Sequence, residues 1–162
     1  MTAKVWNYAF QVLMDNEGGY VNDPRDSGGQ TKYGISKKAY PDLDIPNLTL
    51  AQAMEIYRRD YWDRCKCDYI PDALSVAVFD FAVNSGVKTA IKKLQIALGV
   101  KADGIIGNQT IGASNRLPVK KVLEDYMNLR LDYLMSLPKW KYYGNGWGKR
   151  VERTKKKCEE LI

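Results

Sequence analysis

Histidine is absent from the 162-residue sequence. Its absence excludes a Ser-His-Asp triad, a Cys-His dyad and any zinc site built on imidazole. Cysteine is scarce, with only Cys65, Cys67 and Cys158. An odd count without a dense framework argues against a disulfide scaffold, so these read as ordinary reduced thiols. Cys65-Lys66-Cys67 supplies two thiolates and no further ligands, which do not make a metal site. There is also no Gly-rich nucleotide loop, so neither a metal nor an organic cofactor is expected. Met1 to Asn16 lacks the apolar core and small-residue cleavage site of a signal peptide. No stretch approaches membrane-spanning length. The expectation is a chain made in the cytoplasm that does not insert stably into a membrane and needs outside help to act beyond it.

Apolar residues make up 45% of the chain, enough for a hydrophobic core, and charged residues 27%. The length suits one compact domain, or one domain with a short appended module. Lys plus Arg is 25 and Asp plus Glu is 19, a net charge of +6. Such a surface favours anionic partners: nucleic acid, anionic lipid, or a bacterial wall with its peptide carboxylates and teichoic acids. The basic residues are scattered and no nucleic-acid motif accompanies them, so nucleic acid is not an expected partner.

Trp6, Ala9, Phe10 and Leu13 recur at helical spacing, predicting an amphipathic helix over residues 3–16 that ends at Gly18-Gly19. Residues 20–40 are rich in Gly, Asp, Asn and Ser and read as a long functional loop with room for a short hairpin. Thr49 and Gln52 form a capping box for a helix reaching about Trp62. Asp72 to Ser85 is apolar nearly all round, as a central buried helix would be. Val87 to Leu98 gives a further helix, stopped by Gly99. Lys101 to Gln109 reads as a Gly-rich turn, and a long helix follows from about Val119 to Leu137. Trp147, Val151, Thr154, Cys158 and Leu161 mark a last amphipathic helix. No convincing strand runs are present, and the fold class is mainly α. The basic run Arg150 to Lys157 reads as a solvated helix face.

The informative segment runs from Glu17 to Ser36. A glutamate ends an apolar helix, and a polar loop follows with Asp23, Asp26, Gly28-Gly29 and Thr31. Glycoside hydrolysis needs one carboxylic acid to protonate the leaving oxygen and a second group to stabilise the cation or activate water. A Glu beside aromatic and aliphatic side chains can have the raised pKa that a general acid requires. A following loop can bring an Asp across the cleft, and paired glycines let backbone approach a sugar closely. The same residues also suit a plain helix end followed by turn formers. Tyr20 and Tyr33, in this loop, are the best aromatic candidates for glycan contact. Asp80 and Asn84 share a face of the apolar helix. Asp80 reads as a hydrogen-bonded buried residue that holds the core and ties down the catalytic loop.

Glu17-Gly-Gly-Tyr20, Asn22-Asp23-Pro24, Gly28-Gly29, Thr31 and Tyr33-Gly34-Ile35 together resemble the N-terminal signature of glycoside hydrolase family 108, whose members are phage and bacterial N-acetylmuramidases. The resemblance implies a lysozyme-like α+β fold and makes Glu17 the catalytic residue. The Glu17, Asp26, Thr31 spacing also resembles the Glu, Asp, Thr triad of phage-type lysozymes, which implies Asp26 as second carboxylate and Thr31 as its companion. The gap from Asp26 to Thr31 is one residue shorter than in that triad, and Asp23 is a rival for the second carboxylate. Tyr20, Asp23, Gly28, Gly29, Tyr33 and Asn84 are the implied substrate contacts. Asp80-Phe-Ala-Val-Asn84-Ser-Gly86 is similar to a further segment of the family.

Leu94-Gln95, Leu98-Gly99-Val100, Ala102-Asp103-Gly104, Ile106-Gly107, Thr110 and, more weakly, Trp147-Gly-Lys-Arg150 resemble the peptidoglycan-binding domain that follows in this family. The division this implies is a catalytic segment over 1–90 and a helical wall-binding segment over 91–162, packed as one unit. The expected protein is a monomeric phage-type endolysin acting on peptidoglycan glycan strands, with anionic wall polymers as further partners. Three other readings remain: a lytic transglycosylase with the same acid, a non-catalytic wall-binding or secretion-accessory protein, and, on charge alone, a nucleic-acid binder.

Overall fold

The computed structural model describes residues 3–17, 21–22 and 29–162. Its frame is helical, with a small sheet between the first two helices. Helix α1 (Ala3–Asn16) buries Val5, Trp6, Ala9, Phe10, Val12 and Leu13, the stripe expected from its periodicity. One further bond, from the Glu17 amide to the Leu13 carbonyl at 2.9 Å, carries the helical hydrogen-bonding to Glu17.

The short hairpin expected after the first helix is present and gains a third strand, although no strand run stands out in the sequence. Strands β1 (Val21–Asn22), β2 (Gln30–Lys32) and β3 (Ile35–Ser36) pair antiparallel in that order. Val21 faces Thr31, and Lys32 faces Ile35. Between β2 and β3 only Tyr33 (φ 53°) and Gly34 (φ 80°) turn the chain. Two left-handed residues make a type I′ turn, whose twist matches that of the strands it joins. Strands this short carry too few residues to display a period of two.

Helix α2 (Leu50–Tyr57) has the expected capping box: the Gln52 amide donates to Thr49 Oγ1 at 3.1 Å, and the Thr49 amide to Gln52 Oε1 at 2.9 Å. It continues through a wider turn over Arg58–Trp62. Helix α3 (Asp72–Ser85) buries every residue from Ala73 to Ala82 and lies at the centre, packed by α1 on one side. Helices α4 (Val87–Leu98), α6 (Val119–Met135) and α7 (Trp140–Glu159) pack round the rest of it. One hydrophobic cluster runs from Val5 to Cys158. At its α1 end Trp6, Trp62 and Phe79 meet edge to face at 5.2–5.7 Å, geometry that suits the ring quadrupoles. All three cysteines are free and buried.

Two helix assignments differ from the sequence reading. The supposed turn over 101–109 ends early, because Asn108 already starts α5 (Asn108–Arg116). Helix α7 begins at Trp140, well before Trp147. Gly144, Gly146 and Gly148 lower its intrinsic propensity, but packing on α3 and α6 overrides that cost. Gly144 also has a packing role. A Cβ there would come within 2.6 Å of the Trp140 indole, which lies over its own helix.

Most of the motif resembling a wall-binding segment is knit into the fold. The buried Gln95 side chain donates to Asp103 Oδ1 (2.9 Å), the Ile105 carbonyl (3.0 Å) and Thr110 Oγ1 (3.1 Å). It also accepts from the Gly104 amide at 2.9 Å. These bonds fasten α4 to the turn before α5. Among the described residues, no helix is long and apolar enough to cross a membrane.

Candidate active site

Glu17 follows directly on α1, with its side chain 21% exposed. Gly34 of the β2–β3 turn lies against it: a Cβ there would sit 3.0 Å from Glu17 Cδ and Oε2, and 2.5 Å from the Tyr57 hydroxyl. Only glycine combines that approach with φ 80°. The Tyr57 hydroxyl donates to the Tyr33 carbonyl at 2.6 Å, fixing the turn to α2. Burial first, then the charge of Glu17, pushes the Tyr57 phenol well above its ordinary pKa, so it remains a donor. Tight turn, helix end and buried phenol thus converge on one carboxyl.

The other side of that carboxyl is held from α7. Arg150 Nη1 donates to Glu17 Oε1 at 3.1 Å. The same guanidinium grips Asp80 of α3, with Nη2 on Oδ1 at 3.1 Å and Nε on Oδ2 at 3.3 Å. Reading Arg150 as part of a solvated face is therefore wrong: its side chain is only 13% exposed. Burial works against its positive charge, but Asp80 and Glu17 more than offset this, and its pKa is raised.

Asp80 is buried and richly satisfied, as the sequence led us to expect. It accepts from Asn16 Nδ2 at 3.1 Å and Thr154 Oγ1 at 3.3 Å, and pairs with Arg130 Nη1 at 2.9 Å. Arg130 is itself fully buried, with its guanidinium over the Phe81 ring at 5.1 Å. Burial pushes the Asp80 carboxyl up, yet the two arginines outweigh burial and hold it at about 2. A chain of charges therefore runs Glu17–Arg150–Asp80–Arg130 through the middle of the fold.

The predicted site residues fare unequally. Tyr33 joins Glu17 in lining a groove of about 500 Å³ along the side of α1, with Met14 on the same wall and Met54 of α2 opposite. Thr31 is half-buried in the middle of β2. Gly29 has φ 69°, a backbone favouring glycine, immediately before β2. Asn84 is an exposed residue whose Oδ1 accepts from Arg130 Nη2 at 3.2 Å, so its carbonyl is engaged in holding the core arginine. Tyr20, Asp23, Asp26 and Gly28 lie outside the described residues. A larger depression of about 580 Å³, between Gly99 and Arg116, is lined by no carboxylate and so has no acid for glycosidic chemistry. Among the described residues, no three Cys, Asp or Glu side chains come together in a group that could hold a metal ion.

Sequence reasoning missed Gly34, Tyr57, Arg130 and Arg150 as parts of the site. Gly34 and Arg150 both fall inside quoted motifs, Tyr33-Gly34-Ile35 and Trp147-Gly-Lys-Arg150. Their presence there was the available signal.

Residues 10–86 match the family model described as Glycosyl hydrolase 108. The fold is similar to the structure of SagA from Brucella abortus, with a TM-score of 0.90 and 31% identity, covering 99% of this chain and 97% of that one. The chain belongs to glycosyl hydrolase family 108. It is a glycoside hydrolase from a family of peptidoglycan hydrolases, with the mainly α, lysozyme-like fold expected of one. No protein of curated function matches its sequence significantly.

Proposed function

We propose that this protein is an N-acetylmuramidase that hydrolyses the β-1,4 bond between N-acetylmuramic acid and N-acetylglucosamine in peptidoglycan. The observation that carries the reading is the setting of Glu17: a partly exposed carboxyl on a helix end, fixed through Oε1 and bordering an open groove. Glu17 is the general acid. Arg150 occupies Oε1, so Oε2 carries the proton delivered to the leaving oxygen. Asp26 is the second carboxylate, with Asp23 as its rival, and Thr31 positions water or sugar. Tyr33, on the wall of the groove, contacts the glycan.

The biological role proposed is that of a monomeric phage-type endolysin, held in the cytoplasm until the membrane is permeabilised. The net charge of +6 draws it to anionic wall polymers. Mass analysis of fragments released from purified peptidoglycan tests the chemistry. Reducing N-acetylmuramic acid ends are expected. Anhydro-sugar ends would make it a lytic transglycosylase, and no released fragments would favour a wall-binding protein without turnover.

A further inference from the structure

We infer that the first turns of α7 form a saccharide subsite, in which a ring of the glycan strand stacks on an aromatic platform made by Tyr143 and Trp147. The inference rests on the muramidase reading above and extends it. Four residues apart, the two side chains lie one above the other on one helix face. Their rings are stacked, with centroids 5.7 Å apart and planes inclined by 26°. Trp140, folded onto Gly144, supports Trp147 from its own side at 6.2 Å. The platform is therefore backed by packing, while Tyr143 remains 55% exposed. A large, braced, open aromatic surface is what the C–H face of a pyranose requires.

Helical spacing connects this platform to the chemistry. The stripe that begins with Tyr143 and Trp147 continues to Arg150 and Thr154. Arg150 holds Glu17, and Thr154 holds Asp80. At 1.5 Å of rise per residue, Trp147 stands only about 4.5 Å along the axis from Arg150. The aromatic pair and the arginine that holds Glu17 thus lie on one face of α7.

Charge selects the occupant further. From Lys139 to Arg150 there is no Asp or Glu, and Lys139, Lys141 and Lys149 are exposed cations, Arg150 being already engaged by Glu17 and Asp80. N-acetylmuramic acid presents a stackable ring together with a carboxylate. An uncharged apolar partner would gain nothing from the lysines.

The test uses glycan chains of alternating N-acetylglucosamine and N-acetylmuramic acid, stripped of peptide. With the full-length enzyme, Tyr143→Ala should raise KM about 3- to 10-fold, the size of an aromatic stacking contribution, while kcat moves less than twofold and Tm holds. Tyr143→Phe keeps the ring and should restore KM. Tyr69→Ala is the control: Tyr69 is 64% exposed, but its carbonyl is tied to Asn115 of α5. Binding of the same chains to Glu17→Gln, with and without Tyr143→Ala, should show the same 3- to 10-fold loss without any turnover. An unchanged KM and Kd, or an equal effect at Tyr69, overturns the subsite. So does a loss seen only on peptide-bearing wall, which would assign the platform to stem peptide. A wild-type enzyme that releases no reducing ends while Tyr143→Ala still weakens binding would sink the muramidase reading and leave the platform standing.

Discussion

Arg150 bonds Glu17 and Asp80 with one guanidinium, at 3.1 Å to Glu17 Oε1 and 3.1 and 3.3 Å to the two Asp80 oxygens. Glu17 stands at the end of α1, Asp80 inside α3 and Arg150 on α7. Three helices far apart in sequence are thereby locked at the candidate catalytic carboxyl. The planar fork of arginine suits the task, because it offers several donors at fixed angles. Its position against the buried carboxylate of Asp80 gives Glu17 a rigid support.

Replacing Arg150 by lysine keeps the charge and loses the fork. A single ammonium cannot hold both carboxylates in the observed geometry, so Glu17 shifts. A misplacement of about 1 Å can cost about 100-fold in rate. Arg150→Lys should therefore lower kcat by about 10- to 100-fold, with Arg150→Ala worse in both rate and Tm. Release of reducing ends from wall, measured beside thermal unfolding, checks this. An Arg150→Lys enzyme with normal kcat would show that the bridge is structural only.

Glu17→Gln is nearly isosteric but cannot deliver a proton. General acid catalysis contributes about 10²- to 10⁴-fold, and turnover should drop by at least that much. The Arg150 contact is retained in part through the amide oxygen, so Tm should fall little. A folded Glu17→Gln protein with near-normal turnover would remove Glu17 from the proposed role.

At Gly34, any side chain meets two obstacles together. The Cβ would collide with the Tyr57 hydroxyl and with Glu17, and φ 80° strains every L-residue but glycine. Strain of that kind costs about 1–3 kcal/mol. Gly99 is the natural comparison, since it shares a positive φ of 73° but faces open space. Gly99→Ala should lower Tm and leave kcat intact. Gly34→Ala should lower Tm further and cut kcat at least 10-fold by displacing the acid. Equal kinetics for the two variants would contradict the close packing of Gly34 on Glu17.

The helical frame and the candidate acid stand out in the sequence for different reasons. Trp6, Ala9, Phe10 and Leu13 show α1 by periodicity, and the run from Leu74 to Val83 shows α3 by its lack of a polar face. Glu17 needed more than periodicity, because a carboxylate after a helix is ordinary until the Gly-Gly-Tyr and Tyr33-Gly34-Ile35 motifs accompany it. Arg150 was misread because it opens a basic run on a helix with an exposed face. Only the packing of α7 against α1 and α3 turns that particular arginine inward. The early start of α7 was hidden by three glycines, whose poor propensity is overridden by tertiary contacts invisible in a local window. Gly34 could be recognised as a turn former, but not as the surface on which Glu17 rests.

Asp80 should govern stability in acid. Its folded pKa of about 2 lies below the ordinary 3.8 of an unfolded aspartate. The folded state therefore binds this proton less readily than the unfolded chain. The resulting stability, on the order of 2 kcal/mol, is fully present above about pH 4 and is lost as pH falls through about 2. Asp80→Asn removes the charge at every pH and leaves Arg130 and Arg150 facing a neutral amide. Breaking one side of a buried pair costs about 3–5 kcal/mol, so Tm at pH 7 should fall sharply. The variant should also lose part of the wild-type drop in stability between pH 4 and pH 2. Urea unfolding at several pH values measures both effects. If wild type and Asp80→Asn decline in parallel through that window, the acid sensitivity belongs to other carboxylates. Asp80 would then be a packing residue whose charge contributes nothing to the pH response.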